Sequence, residues 1–383
     1  MSSLKIAGVE QALVNYINFL NDSFPSHQIH LYLLKKEGEL LNELNSNCLV
    51  HEIIMDNHDK KLLFLGGFKE SIKYYLKRLK ILSALRIAFR RIVLHRIDYD
   101  LINFEKIESI TNQFDVAICY MAHMPFLIKY VISKVTAKQK SLFIHSDFVK
   151  TGYRIDYFKK YITLYENFCC VSKDLEKQFL NIYPELKSKT CVIHNFFPYK
   201  KIILNSNKET IQKDANKLNL LTVGNFTKEK GYDIAIKTAN ILKSRNINFC
   251  WTMIGDGKEL KKMLSLTKKW GLSDYLVFKG KLSNPYPYYK ACDLYVQTSK
   301  TEGYCTTVVE SKLFNNKIIT TNAPGMKEIL TNYKQAIICD SFNPTTIADQ
   351  IVLLSNYSGS KSIFDPKEYN NTILKISKTV FNL

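Results

Sequence analysis

Two carboxylates and a lysine carry the first chemical signal in this chain. The stretch "TEGYCTTVVE" (301–310) sets Glu302 and Glu310 eight positions apart around a glycine and a small polar pair. Helical residues between them would give a separation of about 12 Å at ~1.5 Å per residue. Two carboxyls acting on one glycosidic bond stand ~5–5.5 Å apart for retention and ~6.5–9.5 Å for inversion. The spacing therefore does not favour an acid/base pair. It suits two carboxylates gripping opposite ends of an extended ligand.

The surrounding residues say what lies between those ends. "DLYVQTS" (293–299) has the composition of a buried strand, "KTEG" leaves its carboxyl end, and "TTVVESKLFNN" continues as a helix. Thr306 or Thr307 is placed to cap that helix, with Glu310 near the third helical position as the partner in a capping box. A helix N-terminus offers free backbone N–H groups and the positive end of a dipole, which is a phosphate site. Gly303 lets the backbone come close to a ligand. Hydroxyls at both ends and a diphosphate in the middle describe a nucleotide sugar, with Glu302 on the sugar and Glu310 on the ribose. "VGNFTKEKG" (223–231) adds Lys230 as a cation for the diphosphate and Asn225 as a polar contact. "IGDG" (254–257), with Gly255, is a third strand-to-helix turn. In an open α/β sheet such turns share the carboxyl edge, where ligands bind. His145 ends the run "SLFIH", is followed by Ser146 and Asp147, and is expected to face the same cleft. Its other role is that of a structural histidine at a strand end.

Twelve short apolar runs have to position these residues. Six lie in the first half, at 29–34, 50–55, 115–120, 141–145, 168–172 and 190–194. Six lie in the second, at 219–224, 249–255, 275–280, 293–299, 317–321 and 336–340. They are rich in Ile, Val, Leu and Phe on both faces, as buried parallel strands are. Helix-length segments alternate with them, among them 9–20, 173–182, one from about 231, and one between Gly257 and Gly271. The pattern predicts an α/β protein of two doubly wound, Rossmann-like domains. Length agrees, since 383 residues exceed one ordinary core. The polar stretch 197–218 is expected to be the linker. A last helix is expected at about 367–381.

Charge adds a surface. The net charge is +19. Residues 68–97 carry Lys69, Lys73, Lys77, Arg78, Lys80, Arg86, Arg90, Arg91 and Arg96 against Glu70 alone, with Ile72, Leu76, Leu79, Leu82, Phe89 and Ile92 at helical spacing. A basic amphipathic helix of this kind lies on an anionic membrane. The plainer alternative is a helix packed on its own domain with a solvated basic face. No nucleic-acid recognition motif accompanies the charge. No apolar run reaches transmembrane length, and no secretory leader is expected at the N-terminus. The nine cysteines show no C-x-x-C or zinc spacing, which points to reduced, buried thiols.

Taken together, "VGNFTKEKG", "MIGDG", "VFKG" and "ACDLYVQTSKTEGYCTTVVESKLFNNKIITTNAPGMKEI" resemble the donor domain of retaining glycosyltransferases of family 4, which have the GT-B fold. "AGVEQALVNYINFL", "FIHSDF", "VSKDLEKQF" and "VIHNF" are similar to the acceptor domain, and the likeness covers most of the chain. It implies two Rossmann-like domains facing a cleft: 1–200 for the acceptor, 201–360 for the nucleotide sugar, and a helix in 361–383 crossing back to the first. It implies Glu302 at the donor sugar and His145 near the reacting sugar. The backbone around Gly303, Tyr304, Cys305, Thr306 and Thr307 would hold sugar and diphosphate, with Glu310 on the ribose, Lys230 on the diphosphate, and the loop at Gly8 closing from the acceptor side. It implies no bound metal.

The expected activity is transfer of a sugar from a nucleotide-sugar donor, uridine favoured, to a lipid-linked or growing glycan acceptor in capsule, exopolysaccharide or lipopolysaccharide synthesis. The place of work is the cytoplasmic face of the plasma membrane. The sequence departs from the family at two points. Asn225 stands where the family usually has Arg, unless Lys228 supplies that cation. The family's opening strand is expected to be missing from the first domain, since the chain begins at "MSSLKIAGVE", almost directly at the glycine loop. Two other functions stay open: a non-catalytic donor-binding subunit and a sugar-nucleotide epimerase.

Overall fold

The structure, a computed structural model, describes residues 1–56, 104–146 and 160–383, together with scattered positions between 60 and 89. The chain divides into two compact units. One comprises Met1–Ile144 with Gly152–Cys169, the other His145–Thr151 with Cys170–Leu383.

In the first unit, α1 (Gly8–Ser23) buries Leu13, Val14, Tyr16 and Ile17. Strand β1 (Ile29–Leu33) pairs in parallel with β2 (Cys48–Glu52), from Ile29↔Cys48 to Leu33↔Glu52. Strands β3 (Ile110–Cys119) and β4 (Val135–Ile144), joined by α2 (Pro125–Lys134), belong to a second sheet of order β3-β4-β5-β6. Here β5 is Asn167–Cys170, and β6 (Thr190–Val192) is counted in the second unit. Among the described residues no strand lies between β1 and β3. The two meet through rings instead, His30 and Tyr32 of β1 lying 5.4 and 6.3 Å from Phe114 of β3. Tyr16, Tyr120 and Phe143 stack beneath, with centroids 4.8–6.5 Å apart, the range in which aromatic pairs add to area burial.

The second unit opens with α3 (Lys173–Ile182), whose N-cap Ser172 accepts from the Leu175 amide at 3.2 Å. The stretch expected to be a plain linker contains a helix, α4 (Tyr199–Ser206). Its lysines, Ile203 and Leu204 are exposed, but Ile202 and Ser206 are buried, and Pro198 sets the helix start. The sheet follows: β7 (Leu218–Val223), β8 (Phe249–Ile254), β9 (Leu276–Gly280), β10 (Leu294–Gln297), β11 (Lys317–Thr321) and β12 (Ala336–Cys339). Its order is β12-β11-β10-β7-β8-β9. That is the doubly wound 3-2-1-4-5-6 arrangement, whose order reverses between β7 and β10.

Helices fill the crossovers: α5 (Tyr232–Ser244), α6 (Leu260–Lys269), α7 (Tyr286–Ala291), α8 (Thr306–Leu313), α9 (Met326–Ile329) and α10 (Pro344–Ser355). Ala235, Ala239 and Leu242 recur at i, i+4 and i+7 on α5 and are fully buried against the sheet. The Thr222 hydroxyl takes the Trp251 indole N–H at 3.0 Å and donates to the Val296 carbonyl at 2.6 Å, tying β8, β7 and β10 together inside the core. Helix α11 (Pro366–Phe381) starts on an Asp365 cap. It holds the chain at 195–197, through Tyr369 to the Asn195 carbonyl at 2.9 Å and a two-way Asn370–Phe197 pair at 2.9 and 3.2 Å.

Candidate functional site

The reversal of strand order decides where the site lies. Neighbouring strands β7 and β10 send their connections to opposite sides of the sheet and open a crevice at their carboxyl ends. From β7 the chain runs through 224–231 and brings Lys230. From β10 it runs through 298–305 and brings Glu302. The two side chains meet, with Lys230 Nζ 2.7 Å from both carboxylate oxygens. Glu302 is buried. Burial works against the Lys230 ammonium, but the Glu302 charge more than offsets it and raises its pKa above the ordinary lysine value.

Glu302 is fixed by a relay with no counterpart among the residues expected from sequence. Tyr295, Gln297 and Ser299 alternate along the strand and its exit, so they share one face. Tyr295 Oη donates to Gln297 Oε1 at 2.7 Å, Gln297 Nε2 to Ser299 Oγ at 2.8 Å, and Ser299 Oγ to Glu302 Oε1 at 2.6 Å. Three polar side chains at alternate positions of an otherwise apolar run are the signal that marks it. The Cys305 thiol lies 3.6 Å from the same oxygen and 3.3 Å from Thr307 Oγ1. Burial, then the Glu302 charge, pushes its pKa up to about 12, so it stands there as a neutral thiol.

At Gly303 another stretch of backbone approaches closely. A Cβ there would sit 1.9 Å from the His145 carbonyl oxygen, inside any permissible contact. His145 therefore enters the site through its backbone at this point. Asp147 lies outside the described residues, as do most of 68–97. Gly255 turns the chain out of β8 at φ +146°, where a Cβ would meet the Gly224 carbonyl at 1.9 Å, and its N–H donates to Gly280 at 2.8 Å. Asn225 and Lys228 are both exposed on the turn that carries Lys230. Gly8 begins α1 in the first unit.

The capping box expected at Thr306 and Thr307 is not formed. Cys305 occupies the N-cap position with no side-chain cap bond, both threonines are already helical, and Glu310 is the fifth helical residue. The first-turn amides of α8 are thus not taken by a capping side chain. Glu310 instead receives the Tyr289 hydroxyl at 2.9 Å. Burial lifts the pKa of its carboxyl to about 7 against the opposing effect of that hydrogen bond. On the other side of the loop, Tyr304 stacks on His194 at 5.0 Å and shares a 2.9 Å hydroxyl contact with Tyr369. Neither His194 nor its partner Glu328 is among the residues expected from sequence. Their contact spans 134 residues and has no local pattern.

Comparisons with known proteins show what the chain as a whole is similar to. Residues 205–369 match the model of the family described as glycosyl transferases group 1. The chain is 28% identical over 210 residues to the uncharacterized glycosyltransferase MJ1178 of Methanocaldococcus jannaschii, covering 54% of this chain and 55% of that protein. It is 31% identical over 127 residues to the O-antigen biosynthesis glycosyltransferase WclY of Escherichia coli, covering 33% and 34%. The match thus spans about half of MJ1178 and a third of WclY. Among solved structures, Anabaena HepE in complex with UDP and glucose superposes with a TM-score of 0.63 at 14% identity, covering 99% of this chain and 98% of that one. The fold is GT-B. At the level of class, the matches support a glycosyltransferase.

Proposed function

We propose that this chain is a retaining glycosyltransferase that moves a sugar from a nucleotide-diphosphate donor, UDP favoured, to a lipid-linked or growing glycan in cell-surface polysaccharide synthesis. The observation that carries this is the Lys230–Glu302 pair at the switch point between β7 and β10, beside the start of α8. In this reading the diphosphate sits at the α8 amides and draws on Lys230, whose charge is held by Glu302. Glu302 also meets the donor sugar. Glu310 lies one turn further along α8, where a ribose hydroxyl would reach it.

The chemistry asks these groups to stabilise a leaving diphosphate. A fixed cation and fixed amide dipoles do this without reorganising, and one such group contributes about 10²–10³ in rate. The departing phosphate takes the proton of the acceptor hydroxyl on the same face of the sugar, so the anomeric configuration is kept. His145 lines the reacting face. Because Lys230 and the amides offset the charge, turnover is expected without added metal. A panel of nucleotide sugars offered with lipid extract tests the assignment. Release of UDP that Glu302→Ala and Lys230→Ala leave unchanged would sink it.

An anionic membrane surface is the proposed location. Leu76, Leu79, Ile81, Leu82, Leu85 and Phe89 are 48–86% exposed, within a segment holding nine basic residues and one acidic one. Among the described residues no helix is long and apolar enough to cross a membrane. Asn225, in place of the family's arginine, favours a second reading. In it the chain binds the donor and transfers it poorly or not at all.

A further inference from the structure

A cluster behind the donor loop is not used by the chemistry above. His194 Nε2 lies 2.7 Å from Glu328 Oε1, and Glu328 Oε2 accepts the Lys173 amide at 2.8 Å at the start of α3. Burial opposes ionisation of Glu328, but the His194 bond and the Lys173 amide outweigh it and hold its pKa below the ordinary value. The other charged groups around it are Lys173 and Glu176, both on α3. The imidazole stacks near-parallel with two tyrosines: Tyr304 at 5.0 Å and 17°, Tyr369 at 6.1 Å and 6°. Tyr304 and Tyr369 join hydroxyls at 2.9 Å, and Tyr369 bonds the Asn195 carbonyl next to His194.

His194, Tyr304 and Tyr369, from three separate segments, therefore close a ring, and Glu328 from a fourth holds the His194 edge. Its only member in the donor loop is Tyr304, flanked by Gly303 and Cys305. Backbone N–H groups position a diphosphate only if their peptides are held, and a glycine at 303 supplies no side chain to hold them. The stacked tyrosine is the nearest anchor. On the other side of Gly303, Glu302 is anchored by Lys230 and Ser299.

We propose that the His194–Glu328 pair is a positioning device for the donor site: it fixes the His194 ring, the ring fixes Tyr304, and Tyr304 sets the peptides of 303–305 that face the diphosphate. This rests on the reading of 302–310 as the donor site. A device of this kind acts on ligand affinity more than on the cohesion of the domain.

UDP affinity, measured by calorimetry on the full chain beside the melting temperature, tests it. His194→Phe keeps a ring and removes the bond to Glu328, and Glu328→Gln weakens the bond from the other side. Both are expected to weaken UDP about tenfold with melting shifts under about 2 °C. His194→Gln retains an N–H donor for Glu328 and is expected to stay within about threefold of wild type. UDP affinity unchanged in His194→Phe overturns the proposal. So does an affinity loss in step with a collapse in melting temperature, or a His194→Gln no better than His194→Phe. Lys230→Met separates the levels. If it weakens UDP while the His194 and Glu328 variants do not, the positioning role fails and the donor site stands. If UDP does not bind, or Lys230→Met leaves it unchanged, both fail.

Discussion

Lys230 Nζ stands 2.7 Å from each oxygen of Glu302, although the two residues are 72 positions apart. They meet because β7 and β10 are neighbours in the sheet and their chains leave in opposite directions. The pair sets two opposite charges against each other in the crevice, and in the proposed reading the cation serves a diphosphate.

Removing the cation strands the carboxylate. Lys230→Met leaves Glu302 with the Ser299 hydroxyl but no counter-charge, which is expected to cost about 1.5–3 kcal/mol. Denaturant unfolding of the variant checks it. Glu302→Gln/Lys230→Met is expected to recover part of the loss, and a double variant worse than the sum of the singles contradicts the pairing.

Glu310 gives stability a pH dependence with a defined sign. Its carboxyl titrates near 7 in the fold, above its unfolded value of 4.5, so the fold disfavours its charged form. The contribution is fully present below about pH 4.5 and is lost as pH rises through about 7, each pH unit of that window being worth ~1.4 kcal/mol. Melting curves of wild type and Glu310→Gln between pH 5 and 8 are expected to diverge, wild type losing ground as pH rises. Parallel curves contradict it.

Gly303→Ala places a methyl group 1.9 Å from the His145 carbonyl. The loop has to move by more than an ångström. The expected result is a loss of UDP affinity of at least tenfold, read by calorimetry. A small core residue elsewhere serves as a control: Ala239→Gly, on α5, is expected to lower stability by about 1 kcal/mol without touching UDP affinity.

Leu82 and Phe89 are 84% and 60% exposed. Replacing both with Asp is expected to abolish cosedimentation with phosphatidylglycerol vesicles and to leave UDP affinity unchanged. Each nearby basic residue is worth about 1 kcal/mol at an anionic surface, so phosphatidylcholine vesicles are expected to bind far more weakly. Equal binding to both vesicle types contradicts an electrostatic dock.

The strands were the most legible part of the sequence. All twelve apolar runs became strands, with ends displaced by up to six residues, because a strand buried on both faces needs an unbroken apolar run. Helix α4 was not legible, since Ile203 and Leu204 are exposed beside the buried Ile202 and its eight residues show no clear apolar stripe. In the site, Lys230 and Glu302 could be placed at one sheet edge from strand order alone, but their direct contact could not. Glu310 was expected at a cap and instead holds Tyr289, a residue 21 positions away. The relay through Ser299 has a local trace in the alternation of Tyr295, Gln297 and Ser299, whereas the His194–Glu328 pair is a contact made by the fold that no local spacing encodes.

The most direct test is UDP release from a panel of UDP-sugars with lipid extract, comparing wild type with Glu302→Gln. A glycosyltransferase working at this site releases UDP in wild type and at least about a hundredfold more slowly in Glu302→Gln. Equal release by the two proteins would contradict it.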